Sequence, residues 1–186
     1  MRAAVIEAER VRLDALTPDD AEEIFRYCQD EDLQRWIPVP QPYTIEDAHY
    51  FVGPHVRSSE AGETLTIWAI RDERGLLGLI ELRFEPLRSA TVGFWLGSEH
   101  RGRGLMTEAL RALIRYSFDG AGLGLTRLQW QSAVGNHASA LVARRAGFRY
   151  EGSLRGAIEH REERLDSWQG TLLVSDDRAQ TDGWPL

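Results

Sequence analysis

The stretch that decides the fold reads Val92-Gly93-Phe94-Trp95-Leu96 and, four residues on, Arg101-Gly102-Arg103-Gly104-Leu105-Met106-Thr107. An apolar strand-like run leads into a glycine-rich turn, and a helical pattern opens behind the turn. Glycines let a backbone approach a ligand closely, and a helix start presents unpaired N–H groups with partial positive charge. Arg101 and Arg103 add donors suited to phosphate oxygens. The unit reads as a cradle for a pyrophosphate. It lacks the Gly-Lys-Ser/Thr ending of a Walker loop, and its spacing is not the dinucleotide GxGxxG. Taken alone, such a turn is also what a solvated surface turn looks like.

Working outward, three strand patterns precede or include this run, at 64–71, 76–84 and 90–96. Asp72-Glu73-Arg74-Gly75 and Glu85-Pro86-Leu87-Arg88 separate them, which predicts an antiparallel meander. The helix opened by the turn extends to about Phe118. A strand follows near 127–133, then a helix over 137–145 stopped by Gly147 in the left-handed conformation. Strands at 148–154 and 165–174 close the domain, and the polar tail from Ser175 is expected to fray. Toward the N-terminus, a strand at 11–16 precedes Thr17-Pro18-Asp19-Asp20, a helix start carrying a cap and an early proline, with the helix reaching about Gln29. A proline-rich segment, 36–43, leads to Thr44, which caps a second helix with Asp47 three residues on. This pair of elements reads as a lid over a pocket or as a rigid spacer.

Composition limits the possibilities. The 186 residues suit one domain, 1–186, with a core of its own. A net charge of −7 lacks the footprint of a general nucleic-acid binder, so no nucleic-acid partner is expected. All 22 basic residues are Arg, so self-acylation on a lysine is excluded. The single Cys28 lies in Ile24-Phe25-Arg26-Tyr27-Cys28 and reads as a packed core thiol. The opening Met1-Arg2-Ala3-Ala4-Val5-Ile6 meets Glu7 and Glu9 at once, which does not read as a secretory signal. No run approaches the length of a membrane span. A cytoplasmic protein with no membrane partner is the expectation.

A second constellation, Asn136-His137-Ala138-Ser139, opens the helix that Ala146-Gly147-Phe148 ends. Asn136 is a good cap, and Ser139 falls near the same helix face. The pair can be plain capping. It can equally bind and protonate a leaving group.

Through A-T-V-G-F-W-L-G, R-G-R-G-L-M-T-E-A-L and N-H-A-S…A-G-F, the chain resembles the GNAT superfamily of N-acetyltransferases, in particular its RimJ/RimL-type branch. The resemblance implies an α+β fold: one domain with a mixed, mostly antiparallel sheet, flanked by helices and splayed to form a CoA groove. It implies that backbone amides over 101–107 (Arg101, Gly102, Arg103, Gly104, Leu105, Met106, Thr107) hold the CoA pyrophosphate. Pantetheine would pair beside Phe94, Trp95 and Leu96 like an extra strand, with Asn136 touching the arm and Ser139 as general acid at the sulfur. Acetyl-CoA is then the donor and no metal is needed. The acceptor is an amine, on a small molecule or a protein N-terminus, in a bacterial enzyme. Met106 takes the place of a small residue. Thr91 stands where many relatives carry a catalytic carboxylate, which leaves an idle CoA-binding sensor or scaffold as the alternative.

Amine attack on a thioester needs a proton acceptor and a donor to the oxyanion. A backbone N–H near Leu96 suits the second task. For the first, Glu81 alternates with Leu79 and Arg83 on the neighbouring strand, as catalytic base or as a solvated carboxylate. His160 and Asp166 resemble the branch's acceptor-side loop and last strand. Trp36 and Tyr43 are pocket-lining or core candidates. The last strand, with Trp168 reading as exposed, is a candidate edge for a homodimer.

Overall fold

A computed structural model describes residues 3–186. Met1 and Arg2, part of the opening read above, lie outside the described residues. The element order is β1 (Ile6–Glu7), β2 (Arg12–Ala15), α1 (Ala21–Tyr27), α2 (Glu31–Trp36), α3 (Ile45–Tyr50), α4 (Val56–Ala61), β3 (Leu65–Asp72), β4 (Gly75–Glu85) and β5 (Ser89–Leu96), continued by α5 (Leu105–Phe118), β6 (Arg127–Ala133), α6 (His137–Ala146), β7 (Arg149–His160) and β8 (Glu163–Leu173). The eight strands form one sheet in the order β1-β2-β3-β4-β5-β6-β8-β7. Every pairing is antiparallel except β5 with β6. The expected α+β architecture is therefore present.

Alternation along the central strands puts apolar side chains on both faces, and each face has its own core. One face carries Trp68, Ile80, Leu82, Val92, Leu128 and Trp130 against α5 and α6. The other carries Ile67, Ala69 and Leu79 against α1, α3 and α4. At the junction of the two halves the parallel register runs only from Ser89↔Arg127 to Val92↔Trp130. Beyond Val92, β5 has no partner on that side, while β6 continues to pair with β8 as far as Ala133↔Ser167. The sheet splits there.

Several local expectations change. Pro18–Asp20 forms a 3-10 turn and α1 ends at Tyr27, because Asp30 accepts the Asp32 N–H at 3.1 Å and starts a new helix, α2. The Thr44–Asp47 capping box forms as read, with both reciprocal bonds present. The helix it opens passes through a π turn at Phe51–His55 before α4. The run 158–166, expected as a loop leading into the last strand, is the tip of a long hairpin, since β7 runs on to His160 and β8 already starts at Glu163. The tail does not simply fray: Trp184 is buried and packs on Trp130 and Tyr150, with ring centroids 5.4 and 5.6 Å away. Nor is β8 an open edge. It is paired on both sides and Trp168 is buried, so the free edges are β1 and β7. Among the described residues no helix is long and apolar enough to cross a membrane.

Candidate active site

The split exposes backbone in a defined pattern. The Gly97 N–H donates to the Leu77 carbonyl at 2.9 Å. In an antiparallel ladder the bonded residues alternate, so residues 93, 95 and 97 face β4 while Phe94 and Leu96 turn their N–H and C=O the other way. With β6 diverging after Val92, those groups look into the gap. The Leu96 carbonyl is taken by the Arg101 Nε–H at 3.0 Å. The Leu96 N–H is left as a donor at the mouth of the split, where the sequence placed one.

At the foot of the split, Gly102 and Gly104 both have positive φ, 73° and 78°. The chain can then turn so that Gly104 caps α5. The amides of residues 102–107 find no protein acceptor among the described residues, whereas the next one, Glu108, bonds the Gly104 carbonyl at 3.1 Å. This is a helix N-terminus with its donors open, a fitting cradle for a diphosphate. Met106 is buried in the core behind the turn and leaves the amides uncovered. The Arg103 guanidinium has no protein partner among the described residues. Arg101 does not act as a phosphate donor here: its guanidinium holds Asp30 at 2.6 Å and Asp32 at 3.0 Å, on the first turn of α2.

An open cavity of about 550 Å³ flanks the turn, and Arg10, Arg111, Arg115 and Arg145 reach it beside Gly104 and Thr107. Arg10 is committed to Glu108 at 2.7 Å and to the Arg103 carbonyl at 3.1 Å. The guanidinium groups of Arg115 and Arg145 have no protein partner among the described residues, while Arg111 donates to the Arg145 carbonyl at 2.5 Å. The sequence reading missed this group. The i, i+4 spacing of Arg111 and Arg115 on the helix opened by the turn was the available signal.

On the far side of the split, Asn136 caps α6 by accepting the Ser139 N–H at 3.1 Å. The Ser139 hydroxyl accepts the Trp130 indole N–H at 3.0 Å. One lone pair is thereby occupied, and the O–H is left to donate. An indole donor also withdraws charge from the oxygen, which suits a proton donor. Trp130, buried in the core, was not singled out from sequence because nothing local marks it.

Glu81 lies across from Gly93, the first residue beyond the split. A Cβ at Gly93 would meet the carboxylate at 3.1 Å, so the missing side chain makes its room. Burial pushes the Glu81 carboxyl up; Arg83, 3.0 Å away, and His55 on the π turn pull it partly back. The side chain still keeps 28% of its exposure, so water reaches it. Thr91 is no substitute base: its hydroxyl donates to Glu85 at 2.6 Å.

The acceptor-side candidates divide. Trp36 stands 3.8 Å from where a Cβ of Gly135 would sit, the residue before Asn136. Tyr43 is core, buried beside Cys28, and burial raises both the phenol and the thiol, the thiol to about 12. Asp166 holds a bulge, accepting the Gly156 N–H at 2.8 Å. His160 sits at the end of β7, next to Arg161, whose guanidinium donates to the Gln34 carbonyl of α2 at 2.8 Å.

The acetyltransferase (GNAT) domain profile matches residues 10–149. The chain belongs to the GNAT acetyltransferase family. A ribosomal-protein-serine acetyltransferase of Escherichia coli (strain K12) is 31% identical over 81% of this chain and 85% of its own length. The fold matches Mycobacterium smegmatis RimJ, solved in complex with a CoA-disulfide, with a TM-score of 0.82 at 20% identity, over 93% of this chain and 90% of that one. RimL, a ribosomal alpha-N-protein acetyltransferase solved in complex with coenzyme A, gives 0.80 at 22% identity, over 91% and 98%.

Proposed function

We propose that this N-acetyltransferase moves the acetyl group of acetyl-CoA to a primary amine at the N-terminus of a bacterial cytoplasmic protein, by direct attack and with no acyl-enzyme intermediate. The observation that carries the reading is the split between β5 and β6, with the open turn at its foot and, at its rim, a serine whose oxygen accepts the Trp130 indole and whose O–H is left to donate. The amides of 102–107 would hold the diphosphate of the donor, Arg103 and the Arg115–Arg145 cavity its other phosphate, and the backbone of Phe94 and Leu96 its pantetheine arm. Bound there, acetyl-CoA supplies a thioester electrophile.

The residues of the chain then divide the work. The Leu96 N–H is placed to stabilise negative charge on the carbonyl oxygen. The Ser139 O–H is placed to give its proton to the departing sulfur. Glu81, with its carboxyl raised by burial and in reach of water, takes the proton of the incoming ammonium, directly or through that water. Trp36 walls the acceptor side. A protein N-terminus is supported by the likeness to the Escherichia coli enzyme, whose name gives a ribosomal protein's serine as its target. Small amines are the competing acceptors. A homodimer, if built on strand pairing, falls to the β1 or the β7 edge, and a monomeric mass by light scattering would remove it.

The test is thiol release from acetyl-CoA with a panel of short peptide amides differing in their first residue, alongside polyamines and amino acids. A seryl or other small-residue peptide is the expected best acceptor. A panel in which only small-molecule amines react would overturn the protein-terminus reading. CoA binding without turnover of any amine would restore the sensor alternative.

A further inference from the structure

Arg101 stands in the phosphate turn yet faces away from it. Its three guanidinium nitrogens meet three partners on two other segments: Nε–H donates to the Leu96 carbonyl at 3.0 Å, one terminal N–H donates to Asp32 at 3.0 Å, and the other terminal nitrogen forms an ion pair with Asp30 at 2.6 Å. Asp30 and Asp32 are the cap and second residue of α2, a helix of only six residues. So short a helix has little stability of its own and takes its position from what it is tied to. Its other ties include Leu33, buried in the second core, the Arg161 bond to the Gln34 carbonyl, and side-chain bonds of Gln34 to the Cys28 carbonyl and from Gln41, both at 2.7 Å. Its last residue is Trp36, against the Gly135 turn that leads into Asn136.

We infer that Arg101 is a positioning residue for the acceptor: it clamps α2 between the end of β5 and the phosphate turn, and so sets where Trp36 and the tip of the β7–β8 hairpin stand. The planar fork is what the task needs. Three partners around one guanidinium fix an orientation that a single ammonium could not. The same clamp ties the first turn of α2 to the strand whose backbone lines the split, so the two halves of the site share one registration point. This assignment rests on the acetyl-transfer reading above for its functional meaning, but its structural content stands apart from it.

The test uses the whole protein and Arg101→Gln, with Gly104→Val as the contrast. Hydrogen exchange reads α2 through the Gln34 and Ile37 amides, which donate to the Asp30 and Leu33 carbonyls at 3.0 Å each. Calorimetric titration with CoA reads the turn, and initial rates with the best peptide or amine acceptor of the wild-type panel read the acceptor. The expected pattern for Arg101→Gln is exchange at Gln34 and Ile37 faster by roughly tenfold, CoA affinity within about twofold, and acceptor KM raised roughly tenfold with kcat little changed. Gly104→Val should lose CoA affinity while exchange in α2 holds. A tenfold loss of CoA affinity in Arg101→Gln with α2 exchange unchanged would make the residue a phosphate ligand and overturn the clamp. Unchanged exchange and unchanged KM would overturn it as well. Wild-type protein that binds no CoA would instead sink the acetyl-transfer reading, and the exchange comparison would still decide the clamp.

Discussion

The two sides of the split are made of different material. On the cofactor side the donors are backbone: amides of one continuous run, aimed by two glycines and the start of one helix. On the proposed acceptor side the groups are side chains brought in from α2, the Gly135 turn, β4 and the β7–β8 hairpin, segments scattered along the chain, with Gln34 and Arg161 127 residues apart. A backbone-built site tolerates almost any side chain but no change of backbone conformation. A side-chain-built site is the reverse. The largest predicted effect follows. Gly104→Val puts a β-branched residue at φ 78°, where such residues are strained, so the turn that aims the amides must change. CoA affinity should fall by roughly a hundredfold or more while the far side keeps its structure, with calorimetry and a circular dichroism melt as the paired measurements. Retained CoA binding in that variant would break the comparison at its firmest point.

Ser139 lies on the border between the two, a side chain presented by a backbone cap. Its replacement by Ala should lower kcat by roughly ten- to ten-thousand-fold with CoA affinity nearly unchanged, if the hydroxyl protonates the sulfur. Stability should also fall, by about 1–3 kcal/mol, because the buried Trp130 indole N–H loses its acceptor. Trp130→Phe separates the two effects: the hydroxyl stays but is no longer polarised, so kcat should drop less than in Ser139→Ala. Equal turnover in wild type and Ser139→Ala, with only the melting temperature lowered, would reduce Ser139 to packing.

What the sequence made legible follows this division. The meander, the glycine turn, the helix behind it and the Asn136 cap are local patterns, each decided within a dozen residues, and they stand where they were read. The open Leu96 amide was also foreseen, since it belongs to the same strand. Trp168 was misread because its setting depends on pairing on both sides of β8. For Tyr43 the core alternative holds, beside Cys28, and Asp166 holds a bulge in the neighbouring strand that no local pattern announces. Arg101 was misread for a subtler reason. Its position in the turn was local, but the direction of its side chain was decided by α2, a helix too short to leave a periodic signal. Trp184, in a polar tail, gave no sign that it would return to pack on Trp130.

The arginine cavity sharpens the cofactor side. If Arg115 and Arg145 meet the phosphate on the ribose of CoA, the protein should prefer CoA to dephospho-CoA by about tenfold, as expected for a charge-assisted contact at a partly exposed site. Arg145→Ala should remove most of that preference and leave dephospho-CoA affinity alone. The preference should also shrink with added salt, since the cavity is open to solvent. Equal affinities for the two ligands in wild type would show that the cradle amides work without help from the cavity.

The smallest effect at neutral pH, and the one that probes the acceptor side most directly, concerns Glu81. Burial raises its carboxyl above the ordinary glutamate value, and Arg83 and His55 only partly offset this. As a base it must be ionised, so activity should rise with pH through the raised value on the acid limb of the kcat/KM profile. Glu81→Gln should remove that limb. Its activity should fall most, relative to wild type, just above the raised value, and least at high pH, where the amine loses its proton unaided. Stability should move the opposite way. A carboxyl raised in the folded state binds its proton more tightly there than in the unfolded chain, so its contribution is fully present below the unfolded value. That contribution is lost as pH rises through the folded value. Glu81→Gln should therefore unfold at a higher temperature than wild type near neutrality and lose the advantage in acid. A glutamate held only as a solvated partner of Arg83 would give neither the rate limb nor the stability gain. If the melting curves of the two proteins differ by the same amount at every pH, Glu81 does not titrate in a buried setting, and the proton acceptor has to be sought at His55 or in bound water.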